Sequence, residues 1–410
     1  MSVPLDQYQT LAVAVVVLFF GQWLCNRVRF LKTFCIPAPV AGGFVFAILT
    51  TILHVTNLMD IDFDDSLREV AMVFFFTSVG FQANLKVLKQ GGKDLAVFLV
   101  LVIFLIVLQN VIAVGAASAM GLSPLIGLTT GSIPMVGGHG TAGAFGPVLE
   151  DFGVSGATTM CTAAATFGLI AGSSMGGPLG NALIQKNHLS PKTEEGEQVK
   201  KEEKLSLSDY APAVYQIILA AGIGTVLSWL LSRTGMTFPV YIGAMIAAAV
   251  FRNISEYTHS FTIHMDEINE FGSLCLSLFL GIAMITLKFW QLADLAGPLV
   301  LLLGCQTVFM FVYTRFVVFR LMGGDYDAAV IVAGICGFGM GATPNAMANM
   351  SAITNRYGNS IKAYLLIPIV GSLFADFINS LVITVFINLF RKQGDVPEFI
   401  SLPEKRLGTS

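Results

Sequence analysis

Apolar runs long enough to cross a bilayer recur along this chain from residue 8 to residue 390. A hydrocarbon layer about 30 Å thick is crossed by about 20 helical residues. Ten stretches reach that scale: 8–26, 38–55, 69–86, 95–119, 157–184, 210–231, 239–252, 271–288, 297–319 and 362–390. The seventh is short and is read as tilted or joined to its loop. Of the 410 residues, 55% are hydrophobic and 12% are charged, where soluble domains carry roughly a quarter charged residues. A soluble fold has no means of hiding this much apolar surface, so lipid is the expected solvent and an all-α integral membrane protein the expected class. The run from Leu11 is expected to stay as the first span, because neither a basic leader nor a small-residue cleavage site precedes it.

The same composition excludes other classes. The net charge is −3 and no basic tract is present, so no nucleic-acid partner is expected. Cys25, Cys35, Cys161, Cys275, Cys305 and Cys336 are scattered without a CxxC pair, which argues against a zinc site or a disulfide frame. There is no Walker loop, so ATP is not the expected energy source. Ser132, His139 and Asp376 show no triad spacing, and Gly323-Gly324-Asp325 is preceded by Met322 where intramembrane aspartyl proteases carry glycine. The chain therefore reads as no enzyme and needs no cofactor.

Two further apolar stretches, about 124–149 and about 327–354, are too broken to be plain helices. Gly131, Pro134, Gly137, Gly138 and Gly140 interrupt the first; Gly334, Gly337, Gly339, Gly341 and Pro344 interrupt the second. Irregular backbone at membrane depth survives only when buried in protein or lining a cavity. Both stretches are therefore expected to be re-entrant hairpins. The two halves match at a nearly constant offset: Pro39, Val40 and Gly43 recur 200 residues on as Pro239, Val240 and Gly243, while Gly80 recurs as Gly281 and Gly138/Gly140 as Gly339/Gly341, each 201 residues on. Five spans per half is odd, so the second half enters the membrane upside down, giving about ten transmembrane helices in two inverted-topology repeats. The resulting organisation is a first repeat over 1–185, a cytoplasmic linker over 186–208, a second repeat over 209–390 and a polar tail over 391–410.

Basic residues set the orientation. Arg27, Arg29, Lys32, Lys86, Lys89, Lys93, Lys186, Lys192, Lys200, Lys201, Lys204, Arg320, Arg356 and Lys362 fall on one side if both termini lie outside and the central loop is cytoplasmic. Asp60, Asp62, Asp64 and Asp65 then lie outside, while Lys288, Arg391, Lys392, Lys405 and Arg406 break the pattern.

Chemistry is expected at the hairpin tips. Gly137, Gly138, His139, Gly140 and Thr141 form one tip; Gly337, Gly339, Gly341, Ala342, Thr343, Pro344 and Asn345 form the other. Thr343 suits an N-cap, with Pro344 at the first helical position, and Thr141 could cap the other returning helix. Asn345 and Asn349 are four apart and share a helix face. Two half-helix N-termini meeting at the midplane would offer N–H donors and partial positive charge to carboxylates. Asp376 is the carboxylate placed at membrane depth, where a charge costs about 2.5–3.5 kcal/mol. It either serves a cation or proton path or fixes helix packing in protonated form. With Asn379, Ser132 and Gly337 it makes up the candidate Na⁺ set. His139 either titrates or is merely satisfied. Gln109 and Asn110 either line the site or bond a neighbouring helix, and Thr162, Thr166, Ser173 and Ser174 are weaker candidates because hydroxyls often bond their own helix.

At Pro37-Ala38-Pro39-Val40-Ala41-Gly42-Gly43, Gly137-Gly138-His139-Gly140-Thr141, Ala165-Thr166-Phe167-Gly168-Leu169, Gly337-Phe338-Gly339-Met340-Gly341-Ala342-Thr343-Pro344 and Ala348-Asn349-Met350, the chain resembles the bacterial sodium/glutamate symporter family, from about residue 8 to 390. The resemblance implies Na⁺-driven uptake of L-glutamate across a bacterial inner membrane. It also implies two inverted five-span halves, two re-entrant hairpins, a cytoplasmic central loop and a homodimer. A carrier of another small carboxylate such as citrate or aspartate, coupled to Na⁺ or H⁺, is the next reading, and a passive channel the one after.

Overall fold

The computed structural model describes residues 2–34, 36–86, 92–191, 207–233, 239–290 and 296–391. Most of the linker expected over 186–208, the tail beyond Arg391, Cys35, Lys89, Lys192, Lys200, Lys201, Lys204, Lys392, Lys405 and Arg406 lie outside the described residues.

The first half runs β1 Ser2–Leu5, α1 Gln7–Arg27, α2 Arg29–Thr33, α3 Ala38–Val55, β2 Asp60–Phe63, α4 Ser66–Gln82 and α5 Gly92–Ala119. Three short helices follow, α6 Pro124–Leu128, α7 Ser132–Met135 and α8 Gly138–Asp151, before the long α9 Ala157–Lys186. The second half runs α10 Leu207–Ser232, α11 Val240–Thr258, α12 Met265–Ile285 and α13 Ala296–Leu321, the last with a π turn over Tyr313–Val318. It closes with α14 Tyr326–Gly339, α15 Thr343–Tyr357, α16 Ile361–Pro368, a π turn over Ile369–Ala375 and α17 Asp376–Phe390.

Helices stand at all ten positions where spans were expected, but not all satisfy a membrane's demands. Among the described residues six are long and apolar enough to cross, or up to seven if the bent pair Ile361–Gly371 and Asp376–Phe390 is one span. The six are α1, α3, α5, most of α10, α12 and α13. The others fall short for visible reasons. Helix α4 has 17 residues, α11 carries Arg252, Asn253 and Glu256 near its end, and α9 is rich in glycine and hydroxyl groups. The span expected as one run over 362–390 is broken, with a 46° bend at the π turn. Such turns insert an extra residue into the helical ladder and bend the axis.

A second departure from expectation is a two-stranded parallel sheet. Ser2 to Leu5 pair with Asp60 to Phe63 in register. The polar loop after α3 needs partners for its backbone N–H and C=O groups, and the segment before α1 supplies them. This pairing puts the start of the chain and that loop on the same face of the molecule.

Burial organises around the broken segments. Helix α14 is buried on nearly every side from Tyr326 to Gly339, as a helix apolar all round must be. One core cluster wraps it with residues of α5, α9, α13, α15 and α16. A second cluster encloses α8 with α3, α4, α9, α11, α12 and α17. Where lipid replaces water, close packing rather than hydrophobic transfer holds helices together, and small residues let backbones approach. Gly42 of α3 lies so near α1 that a Cβ would overlap the Val17 carbonyl oxygen; Gly243 of α11 stands in the same relation to the Gly224 carbonyl of α10. Helix α9 makes the longest such contact. Gly168, Gly172, Gly176 and Gly180 lie at every fourth position, and a Cβ at each would press on the carbonyl oxygen of Met340, Cys336, Ala333 or Ala329 in turn. Those four residues run backwards along α14 and its C-terminal turn, so α9 and α14 are antiparallel and in near backbone contact.

Gly177, beside that row but turned away from α14, has nothing within 4 Å of an added Cβ. Gly177→Ala should therefore gain stability through helix propensity, by about 1 kcal/mol. Gly172→Ala should lose about 1–3 kcal/mol by overpacking against Cys336. Thermal unfolding of the two variants in detergent checks this: opposite shifts of Tm are expected, and equal shifts would show that α9 is not seated on α14 through its glycine face.

Candidate functional site

The two glycine-broken stretches meet. Gly138 has φ +57°, a left-handed conformation that glycine adopts without penalty. A Cβ there would lie 2.9 Å from the Gly341 carbonyl oxygen, so the start of α8 touches the turn between α14 and α15. That turn, Met340 to Ala342, reverses the chain tightly: a Cβ on Gly337 would overlap the Ala346 amide, and Ala342 N–H donates to the Gly337 carbonyl at 3.2 Å.

The caps differ from expectation by position. The N-cap of α15 is Ala342, in extended conformation, which places Thr343 first and Pro344 second in the helix; no side chain caps it. Thr343 instead lies near Gly371, whose added Cβ would sit 3.5 Å from its hydroxyl. Likewise Gly137 precedes α8 as its N-cap, and Thr141 lies one turn inside with its N–H donating to Gly137 at 3.2 Å. In both cases the extended or turn backbone needed at the cap falls on a small residue one to four positions before the threonine.

Side-chain amides hold the tips in place. Asn110 of α5 grips Ser132 twice, its Nδ2 donating to Ser132 Oγ at 2.8 Å and its Oδ1 accepting from the Ser132 N–H at 3.0 Å. Asn379 of α17 donates to the Ser132 carbonyl at 3.0 Å, an oxygen that also accepts from the Val136 and Gly137 amides. Gln109 donates to the Gly339 carbonyl at 2.7 Å, and Gln306 of α13 donates to the Gln109 carbonyl at 2.8 Å. Asn345 and Asn349 do share a face of α15, and it is turned to α9. Asn345 donates to Ser173 Oγ at 2.7 Å and to the Leu169 carbonyl at 3.1 Å; Asn349 donates to the Gly172 carbonyl at 3.0 Å and the Ala333 carbonyl at 3.2 Å. His139 Nε2 lies 3.0 Å from Thr166 Oγ1.

These amides point their N–H₂ groups at protein carbonyls and leave oxygens over. The side-chain oxygens of Gln109, Gln306, Asn345 and Asn379 are buried without a protein hydrogen-bond partner. A buried amide oxygen left unpaired costs about 1–3 kcal/mol, and several in one region mark a place that takes a cation, an ammonium or water. Asp376 opens α17 just after the π turn, half-buried. Among the described residues its carboxylate makes no ion pair or side-chain hydrogen bond, while its backbone carbonyl accepts from Ser380 at 2.9 Å. Among the described residues no group of three or more His, Cys, Asp or Glu could hold a metal ion.

Of the residues expected from sequence, Ser132, Gly138, Gly339, Gly341, Asn345, Asn349 and Asn379 thus fall within one connected network or contact. Gln306 escaped the sequence reading although a lone amide in an apolar run was the same signal that marked Gln109 and Asn110. The glycine face of α9 also escaped it, legible as a repeat of four from Gly168 to Gly180. Ser173 and Thr166, rated weak, are the hydroxyls that receive Asn345 and His139.

The profile of the sodium/glutamate symporter family matches residues 3–359. The chain belongs to that family. It is 39% identical over 395 residues to the sodium/glutamate symporter of Haemophilus influenzae, covering 94% of this chain and 98% of that protein. It is 38% identical over 393 residues to the sodium/glutamate symporter of Escherichia coli, with the same coverage. The family is one of transporters, not enzymes, and the multi-pass membrane character read from the apolar helices agrees with it.

Asn110→Leu removes both bonds to Ser132 and leaves its N–H buried and unpaired. A loss of about 1–3 kcal/mol is expected, read as a lowered Tm in detergent. Combining Asn110→Leu with Ser132→Ala should cost less than the sum of the two single losses, because both remove the same contact; additive losses would remove Asn110 from the role of tip anchor.

Proposed function

We propose that this protein carries L-glutamate into the cell by symport with Na⁺, binding both at the meeting point of two re-entrant hairpins and exposing them alternately to each side. The observation that carries the proposal is the contact of Gly138 with Gly341 amid four buried, unpartnered amide oxygens. Helices α8 and α15 both begin at that contact. Their positive dipole ends, with the first-turn N–H groups of α8 and the Thr343 N–H of α15, whose next residue Pro344 has no N–H and whose Asn345 N–H already bonds Ala342, suit the two carboxylates of glutamate without a buried Lys or Arg. In this reading Gly137 to Thr141 and Gly339 to Asn345, with Asn349, form the substrate site. The hydroxyls of Thr141 and Thr343 stand within the first turns and add donors.

The cation is assigned to Asp376 and Asn379 with oxygens of Ser132 and Gly337. Na⁺ is a hard ion that takes carboxylate, amide and carbonyl oxygens. Asn379 is the strongest of the four, since its oxygen is buried and has no donor. The Ser132 and Gly337 carbonyls already accept backbone N–H groups and have less to offer.

Inverted repeats are supported by the order of elements. Helices α1, α3, α4 and α5 have counterparts in α10, α11, α12 and α13, and the broken segments and last helices follow in the same sequence. The Gly42 contact with α1 has its match in the Gly243 contact with α10. Helices α14 and α15, of 14 and 15 residues, are each too short for a span, which favours a hairpin that enters and leaves on one face. The resemblance adds a homodimer in the bacterial inner membrane, with both termini outside and the central loop cytoplasmic. Transport would then move the loaded hairpins against a fixed scaffold.

The test is uptake by purified protein in proteoliposomes. An inward Na⁺ gradient should concentrate labelled L-glutamate above its equilibrium level, and replacing Na⁺ by K⁺ should abolish the accumulation. Preloaded vesicles should show counterflow, which a channel lacks. Citrate or aspartate competing better than glutamate would shift the assignment to another carboxylate. Asp376→Asn should raise the Na⁺ concentration for half-maximal uptake about tenfold, equivalent to about 1.4 kcal/mol; full retention of Na⁺ dependence would remove Asp376 from the cation site.

A further inference from the structure

Of the five residues from Gly137 to Thr141, His139 alone carries a side-chain nitrogen, and the proposed site gives that ring no task. His139 follows Gly138, whose added Cβ would lie 2.9 Å from the Gly341 carbonyl oxygen. The ring is therefore carried at the meeting of the two tips. Helix α9 holds it there. His139 Nε2 lies 3.0 Å from Thr166 Oγ1, and Thr166 Oγ1 donates to the Thr162 carbonyl at 3.0 Å. Leu169 stands three residues beyond Thr166, about 4.5 Å along the helix axis. It packs on the other tip, where a Cβ on Gly341 would lie 3.3 Å from the Leu169 Cα. Gly138, Gly341, Leu169, Thr166 and His139 thus form a ring closed by chain or contact at every step.

The two distances at Thr166 fix the imidazole proton. A hydroxyl has one hydrogen, and a carbonyl only accepts. Both contacts are hydrogen bonds only when the Thr166 hydrogen goes to Thr162 and Nε2 carries the proton that goes to Thr166. Among the described residues no carboxylate pairs with the ring, and the residue is 5% exposed. A charged ring would be buried without a counter-charge, which is costly. The neutral ring leaves Nδ1 as a bare lone pair with no partner among the described residues.

The proposed site assigns donors to the two carboxylates of glutamate and oxygens to Na⁺, and it leaves the α-ammonium without a partner. An ammonium carries three N–H donors and no acceptor, and a bare imidazole nitrogen is its complement. We propose that His139 Nδ1 accepts a hydrogen bond from the α-ammonium of the transported amino acid, and so separates an amino acid from a dicarboxylate of the same length. A neutral acceptor suits the position. A carboxylate there would repel the carboxylates of the substrate and would hold charge at membrane depth with the site empty. A site that pairs with a substrate N–H rejects the analogue lacking it, because its own polar group is then left unpaired. This assignment rests on the proposed symport of glutamate and deepens it by naming the group that recognises the amine.

The experiment is displacement of labelled L-glutamate from the purified full-length protein in detergent, with saturating Na⁺. The competitors are unlabelled L-glutamate and glutarate, which has the same two carboxylates and no ammonium. The readout is the ratio of their affinities, which a purely structural role of the ring would not move. His139→Gln puts an amide N–H near the place of Nε2 and no acceptor at Nδ1. His139→Asn puts an amide oxygen near Nδ1 and cannot reach Thr166. The wild type should prefer glutamate, and His139→Gln should lower that preference about tenfold, the scale of a hydrogen bond to a charged group. His139→Asn should keep most of the preference while its Tm falls, and it decides the matter if His139→Gln does not fold. A ratio unmoved in His139→Gln, with both ligands weakened alike or neither, would overturn the assignment, as would a preference lost in His139→Asn. If wild-type vesicles still accumulate glutamate on a Na⁺ gradient, that result removes His139 alone. A ratio that depends on His139 in a protein that accumulates no glutamate on a Na⁺ gradient would keep the amine contact and defeat the symport instead.

Discussion

Everything in this molecule follows from the need to satisfy a broken backbone where water is scarce. An intact helix bonds its own N–H and C=O groups, and a broken one leaves some exposed. Here the breaks fall at Gly131 to Gly138 and at Met340 to Ala342, in the two most enclosed parts of the fold. Groups at the breaks are met by side-chain amides from intact helices: Asn110 and Gln109 from α5 and Asn379 from α17, with Gln306 of α13 bonding the Gln109 carbonyl behind them. An amide suits this duty because it donates and accepts while carrying no charge, so it adds no Born penalty to an already strained region.

Helix α9 is the element through which these parts are joined. One side is glycine at every fourth residue and lies against the carbonyls of α14. Threonines Thr158, Thr162 and Thr166, also spaced by four, run along another side toward His139. A helix with these two faces has too little hydrophobicity to qualify as a simple span, and that deficiency is the mark of its role. It is covered by protein rather than lipid, with most of its first half buried.

Much of this was legible in the sequence, and the parts that were not share a cause. Glycine and proline density located both broken stretches, and the spacing of Asn345 and Asn349 correctly placed them on one face. Those signals depend on local backbone chemistry. The cap positions went astray by one to four residues, because a threonine is a good cap only where the backbone is extended, and here Ala342 and Gly137 adopt the preceding conformations. The π turn before Asp376 was invisible because Ile369 to Ala375 read as ordinary apolar helix. The pairing of Ser2–Leu5 with Asp60–Phe63 was missed because a strand of four residues gains its partner only through tertiary placement. Gln306 is the instructive case: its type and setting equalled those of Gln109, and only the 197-residue separation hid their contact.

In the proposed transport reading, the chemistry of the tips also bears on how a carrier returns empty. A site built from buried Lys and Asp would hold net charge once its cargo left, and moving that charge through a low-dielectric region is expensive. The groups connected at the tips are amides, hydroxyls, backbone dipoles and one histidine, with Asp376 as the nearby carboxylate. Such a set can stabilise a carboxylate by aligned N–H groups and a cation by amide oxygens, yet carry little charge when neither is bound. In the proposed reading, the unpaired oxygens of Gln109, Gln306, Asn345 and Asn379 are acceptors left without protein donors, so that empty tips would be poorer in hydrogen bonds than loaded ones. A difference of that kind would favour binding without fixed charge, and it would tie occupancy of the tips to the stability of the whole buried network.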